Sequence, residues 1–149
     1  MALSFPLGDR NGKRLGRKEI DQLLAGPNLL RLAFLDGGSA PMVHPVWFLY
    51  QGEKFWVATD SGGKKAKSIS ENPGVYFLID IDSGPPRGVR GKGTARVIDD
   101  PAFAAEVTEK CMKKYLQTTR TKKAKAIIEM GKKSCVIEIT PGYMATWKF

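Results

Sequence analysis

Met42-Val43-His44-Pro45-Val46-Trp47-Phe48-Leu49-Tyr50, the polar run Gln51-Gly52-Glu53-Lys54, and Phe55-Trp56-Val57-Ala58-Thr59 together form the stretch that decides the architecture. β-Branched and aromatic residues fill both arms, and a short glycine-containing turn joins them. The pattern therefore predicts a hairpin, with one strand over about 42–50 and its partner over 55–59. Upstream, residues 29–35 read as a mostly buried strand closed by the turn formers Asp36-Gly37-Gly38-Ser39. Before that, Ile20, Leu23 and Leu24 recur at helical spacing over 17–24 and stop at Gly26-Pro27.

Downstream, residues 64–72 predict a short helix ended by Pro73-Gly74, and 75–81 a strand. Ser83-Gly84-Pro85-Pro86 forces a turn into a long strand over 89–98, where Gly91 and Gly93 indicate bending or close backbone approach. Asp99-Asp100-Pro101 opens a helix whose buried stripe is Phe103, Val107, Cys111 and Tyr115, joined by Met112 and Leu116. A second helix over 122–130 ends at Gly131, and two last strands follow at 134–139 and 143–147. Six or seven strands in hairpin order, interrupted by helices, predict a mainly β fold: an antiparallel sheet closed or nearly closed into a barrel, with peripheral helices. With 149 residues and 42% apolar content, residues 1–149 are expected to form one domain around one core.

No run approaches the roughly 18 apolar residues of a membrane span, and Met1-Ala2-Leu3-Ser4-Phe5-Pro6 lacks signal-peptide features, so a cytoplasmic protein with no membrane partner is expected. Cys111 and Cys135 stand far apart and His44 is the sole histidine, so no metal site is predicted and both thiols are expected to be buried and free. The formal charge of +9 favours anionic partners. Lys110, Lys113, Lys114, Arg120, Lys122, Lys123, Lys125, Lys132 and Lys133 crowd one region, but no aromatic residues interleave with them as stacking platforms. A solvated helix face is the reading there, and nucleic acid is set aside as the main partner.

The loop Thr59-Asp60-Ser61-Gly62-Gly63-Lys64-Lys65 combines backbone N–H groups, hydroxyls and two ammonium groups at a helix start, the set a phosphate monoester needs. It is not a Walker loop, since the earlier glycine and the hydroxyl after the lysine are missing. Gly91-x-Gly93-x-x-Arg96 lacks the third glycine of a dinucleotide fingerprint and lies inside a strand. His44 is expected to be a hydrogen-bonded, partly buried imidazole, and no pairing of nucleophile and base emerges, so no catalytic side chain is assigned. Any chemistry is expected to come from a cofactor.

From Leu29 to Ile98, element order and local patterns resemble the pyridoxamine-phosphate-oxidase-like, flavin-binding split β-barrel family. The resembling pieces are His44-Pro45-Val46-Trp47-Phe48-Leu49-Tyr50, Phe55-Trp56-Val57-Ala58-Thr59, Lys64-Lys65-Ala66-Lys67-Ser68-Ile69 with Glu71-Asn72-Pro73, and Arg87-Gly88-Val89-Arg90-Gly91-Lys92-Gly93. The ending Ile137-Glu138-Ile139-Thr140-Pro141, followed by Ala145-Thr146-Trp147, is similar to the smaller flavin and deazaflavin members. The resemblance implies a homodimer with FMN, or alternatively F420, at its interface. The ring would lie against Pro45, Val46, Trp47 and Phe48, and the phosphate would go to Lys65, with Lys64, Ser61 and Thr59 near it and Lys67 within its neighbourhood. The implied activity is hydride transfer to or from a small organic substrate; the alternative is a flavin- or haem-binding module without turnover. The C-terminal arginine and histidine pattern of true pyridoxamine-phosphate oxidases is absent from Tyr143-Met144-Ala145-Thr146-Trp147-Lys148-Phe149, so that substrate is not implied.

Overall fold

The computed structural model describes residues 13–149. The opening segment read above for a signal peptide lies outside them. Helix α1 (Arg17–Ala25) precedes β1 (Leu30–Leu35), β2 (Pro41–Val46), β3 (Leu49–Gln51) and β4 (Lys54–Asp60). Then come α2 (Lys64–Glu71), β5 (Gly74–Ile81), β6 (Arg87–Ile98), α3 (Pro101–Tyr115), α4 (Lys122–Gly131) and β7 (Ser134–Lys148). Every strand pair is antiparallel, and the spatial order is β2-β1-β5-β6-β7-β4-β3.

That order makes the sheet curl. Its two edges, β2 and β3, are consecutive in sequence and separated only by Trp47 and Phe48. Three peptide steps span at most about 11 Å, whereas seven flat strands would set the edges roughly 29 Å apart at about 4.8 Å per spacing. The sheet must therefore wrap round until its edges nearly meet. No ladder closes the gap, so the result is a split barrel and not a closed one. The strand predicted over 42–50 is in fact two, broken where the chain crosses the split.

Alternation aims Leu30, Leu32 and Phe34 of β1, Phe55 and Val57 of β4, and Phe77 and Ile79 of β5 into the barrel, where all are buried. Phe55 sits at the middle of an aromatic group, with ring centroids 4.7 Å from Phe77, 4.8 Å from Tyr50 and 5.6 Å from Phe48. Each such buried side chain contributes roughly 1.5–3 kcal/mol. A second apolar cluster lies outside the barrel wall, where Ala104, Val107 and Cys111 of α3 meet Val136 of β7.

Local chemistry explains the elements. The hairpin turn places Gly52 and Glu53 both at φ 61°, the two-residue turn whose twist suits antiparallel strands. Asp100 caps α3 by accepting from the Phe103 N–H at 3.1 Å, with Pro101 in the first turn, and Thr121 caps α4 through the Ala124 N–H at 3.1 Å. The stripe predicted for α3 shifts slightly: Ala104 and Thr108 join Val107, Cys111 and Met112 as buried, while Phe103, Tyr115 and Leu116 are only partly covered. The two predicted final strands are one, because a register shift at Lys92/Gly93 accommodates Pro141 and leaves Gly142 without a partner. Gly91 and Gly93 face that crossing. A Cβ on Gly91 would stand 2.1 Å from the Tyr143 carbonyl oxygen, and one on Gly93 2.5 Å from that of Thr140. Close strand approach is thus their structural use.

Candidate functional site

The β3–β4 ladder ends at Leu49↔Trp56, so beyond Trp56 the β3-facing edge of β4 has no strand partner, and neither does the outer edge of β2. The split therefore lies between the outer edge of β2 on one side and the free edges of β3 and of β4 beyond Trp56 on the other. Chain continuity sets the second half of the site. β4 ends at Asp60, and four residues later α2 begins, packed against β1, β4 and β6 at one end of the barrel.

The connecting loop is tied down. The Ser61 N–H donates to the Lys133 carbonyl at 3.0 Å, and the Gly63 N–H to that of Asp60 at 3.2 Å. The Ser61 hydroxyl meets the Cys135 thiol, which also lies 4.0 Å from the Asp60 carbonyl oxygen. Both cysteines are free and buried. Gly63 caps α2 without a side-chain bond, so the first-turn amides at Lys64, Lys65 and Ala66 have no intrahelical acceptor and face outward with the positive end of the helix dipole.

The three lysines of α2 differ by helix phase. Lys65 stands one turn before the fully buried Ile69 on the same stripe and is half-buried, while Lys64 and Lys67 are exposed. Burial holds the Lys65 ammonium below its ordinary pKa, partly offset by the Asp60 carboxylate. Lys64 reaches Asp36 at 3.8 Å. Asp36 itself accepts from the N–H groups of Ala40 at 3.0 Å and Gly38 at 2.8 Å, which, with Lys64, keep its carboxyl below the usual range. Lys64 is thus partly engaged, and Lys65 is the cation with an unmet need for an anion.

The other end of the expected set divides. Pro45 is exposed at the end of β2 and Thr59 is half-exposed at the end of β4. The Val46 side chain is buried in the core, leaving its backbone at the free edge. Trp47 turns to the far side and stacks on Tyr115, with centroids 4.9 Å apart and planes 5° from parallel. The Phe48 ring is fully buried, the backbone N–H of Phe48 donates to the Tyr115 hydroxyl at 3.2 Å, and its carbonyl accepts from Lys114 Nζ at 2.9 Å.

Tyr115 and Lys114 are the residues sequence reasoning misplaced. The Tyr115 hydroxyl also donates to the Asn28 carbonyl at 2.7 Å. Lys114 is not part of a solvated face. It donates to the Leu24 carbonyl at 3.0 Å and lies 3.6 Å over the Phe48 ring, and burial lowers its pKa to about 8. Together they pin the crossing between the two sheet edges and so set the width of the split. The remaining lysines of the cluster do behave as a solvated face, several in pairs with Glu106, Glu109 and Glu129.

His44 is partly buried as expected, but the expected hydrogen bond is not there. It packs edge-on against Phe34 at 5.1 Å, and no hydrogen bond to it is found among the described residues. Burial lowers its pKa, and the Lys65 and Lys64 charges push it the same way, which places the middle of β2 within the field of the α2 N-terminus. As the only histidine, it gives one imidazole resonance in proton NMR. Its titration midpoint is expected below 6.5 and is expected to rise on adding inorganic phosphate, since an anion at the lysines cancels their repulsion. A midpoint unmoved by phosphate contradicts the geometry. Because the folded state binds this proton only at lower pH than the unfolded chain, the stability it supplies is complete above about 6.5 and is lost as pH falls through the depressed value. Urea midpoints between pH 7 and 5, set against His44→Gln, read that slope.

Comparison with known proteins bears on this arrangement. The pyridoxamine 5'-phosphate oxidase family model matches residues 17–148. No curated protein matches by sequence. Among solved structures, a conserved hypothetical protein from Mycobacterium tuberculosis superposes with a TM-score of 0.79 at 19% identity, covering 95% of this chain and 89% of its own. An F420 reductase gives 0.70 at 21%, over 84% of this chain and 94% of its own, and an FAD-binding protein from Mesorhizobium loti 0.67 at 17%, over 93% and 99%. At these identities the structural likeness establishes the fold alone.

Proposed function

The chain belongs to the pyridoxamine 5'-phosphate oxidase family, and on that premise we propose that it binds a phosphorylated flavin-type cofactor, FMN or the deazaflavin F420, at the split and moves hydride to or from a small organic substrate. The observation that carries this reading is the meeting of an uncapped helix start, the half-buried Lys65 and a free strand edge at one corner. The donor set suits a phosphate monoester: the first-turn amides of α2 and an ammonium that is already half-buried, with the Ser61 hydroxyl beside them engaged by the Cys135 thiol. That two of the structural relatives are an F420 reductase and an FAD-binding protein supports the same class.

The bound cofactor supplies the hydride chemistry. The chain's part is to hold and orient. The α2 amides and Lys65 anchor the phosphate, and the free edge of β2 near Pro45 and Val46 is available to a ring laid along it. Lys114 and Tyr115 keep the crossing rigid, so the edge does not shift when it is loaded. A cytoplasmic setting agrees with two free thiols.

Absorbance of the freshly purified protein, followed by calorimetric titration with FMN and F420, tests the proposal. Micromolar or tighter binding of one of them supports it, and anaerobic mixing of the reduced complex with acceptors then separates turnover from storage. Failure of both to bind removes it.

The reading includes a homodimer with the cofactor at its interface. The outer face of β1, β2 and β5 presents Ala33, Leu78, Val43 at 61% exposure and Tyr76 at 42%, flanked by the Arg31–Asp80 pair and Arg90. A second copy would cover this apolar face. Val43→Asp, at an exposed position, is expected to shift the sedimentation coefficient from dimer to monomer while the chain stays folded. A wild-type monomer at micromolar concentration would count against the dimer.

A further inference from the structure

Outside the barrel wall, the outer face of β4 and the α3–α4 pair enclose a cleft of about 220 Å³. Trp47, Ala58, Cys111 and Met130 supply apolar walls, and Asp60 and Thr108 supply polar groups. It shares Trp47 and Thr59 with the expected cofactor set, but Lys65, the α2 amides and the free β2 edge take no part in its lining. We propose that this cleft is a second ligand site, one that seats a neutral, single-ring aromatic molecule carrying a hydroxyl or amine donor. The inference goes beyond the cofactor reading and does not depend on it.

Size sets the first limit. An apolar cavity of about 150 Å³ is enough for benzene, so about 220 Å³ takes one substituted ring and not two. Rigidity is the second argument. Trp47 is already held flat against Tyr115, and the Tyr115 hydroxyl is fixed between the Phe48 N–H and the Asn28 carbonyl. An aromatic wall that is ordered before the ligand arrives loses little entropy on binding. Access is the third. Met130, at the rim, is 69% exposed, so the space opens to solvent and is not a sealed packing fault.

Charge then selects the ligand. Despite the +9 of the chain, no lysine or arginine lines the cleft. Asp60 is its carboxylate, and the Cys111 thiol is neutral at ordinary pH because burial pushes its pKa to about 11. An anionic ring meets one repulsive carboxylate and no cation in the lining itself, Lys65 and Lys114 acting only from beyond Asp60 and Cys111. A neutral ring with an O–H or N–H donor can give a hydrogen bond to Asp60 and keep its apolar edge on Ala58 and Met130.

Calorimetric titration of the full chain with phenol tests this, with benzoate as the anionic comparison. Phenol is expected to bind saturably in the millimolar range or tighter, and about tenfold or more tightly than benzoate. Ala58→Leu adds bulk from the outer face of β4, and Met130→Trp blocks the rim from an exposed position where folding is not at risk. Each is expected to weaken phenol about tenfold or more. FMN titrated in parallel should be unaffected by Met130→Trp. Absence of saturation by phenol, benzoate binding as tight, or phenol affinity unchanged in Met130→Trp overturns the proposal. A chain that binds phenol and not FMN sinks the cofactor reading and leaves the cleft standing.

Discussion

Lys65→Ala is expected to weaken FMN binding by about 1.5–3 kcal/mol, roughly ten- to 150-fold in the dissociation constant. The size of the effect follows from burial. An exposed lysine exchanges water for phosphate with little net gain, whereas Lys65 has already lost hydration on folding, as its lowered pKa records. A phosphate restores what burial removed. Lys64, two-thirds exposed and held toward Asp36 at 3.8 Å, is expected to matter less, and Lys67, exposed and a further turn face away, least. Titration calorimetry on the three alanine variants reads this order directly. Equal losses would mean that net charge and not a placed ammonium attracts the ligand, and an unchanged Lys65→Ala affinity would remove the anchor.

Gly91→Ala is expected to destabilise the fold by about 3 kcal/mol or more, among the larger effects of a single methyl group. Its Cβ would lie 2.1 Å from the Tyr143 carbonyl oxygen and 2.7 Å from the Phe77 ring. The first neighbour is backbone of β7 and the second belongs to the central aromatic group, so neither can rotate aside. β6 and β7 would have to part along a ladder that runs from Arg87 to Ile98. Gly142, where the nearest atom to a new Cβ is 4.0 Å away, is the matched control and should tolerate alanine with little change. Urea denaturation of both variants measures the difference, and a loss under about 1 kcal/mol at Gly91 would show that the strands yield more easily than this packing implies.

Much of the barrel was legible because its signals are local. The Gln51–Lys54 turn, the Asp100-Pro101 helix start and the alternation in β1, β4 and β5 each depend on residues within a few positions, and each element appears where it was expected. Two boundaries were not legible. The break at Trp47-Phe48 leaves no local mark, since both residues favour strands, and it exists because the sheet edges must meet there. The gap read between strands 134–139 and 143–147 is closed in the fold, and only the partner strand β6 shows that a bulge near Pro141 carries one strand through it. The site divides in the same manner. The loop from Thr59 to Lys65 declared its anion chemistry in its composition, and the resemblance already ranked Lys65 over Lys64; the half-burial of Lys65 and the Lys64–Asp36 contact became visible only in the fold.

By itself, then, the sequence determined most of the strands, the helices and the hairpin order, which follow from residue type and near-neighbour spacing, while the family came from the resemblance of its local motifs. Only the tertiary structure decided that Lys114 turns inward to carbonyls 66 and 90 residues away, that the Phe48 ring is buried, and that a cleft lined by no lysine or arginine exists in so basic a chain. The physical reason is range: burial and the direction of a long cationic side chain are set by whichever distant segment packs over it, and that segment is not encoded within reach of any sequence window.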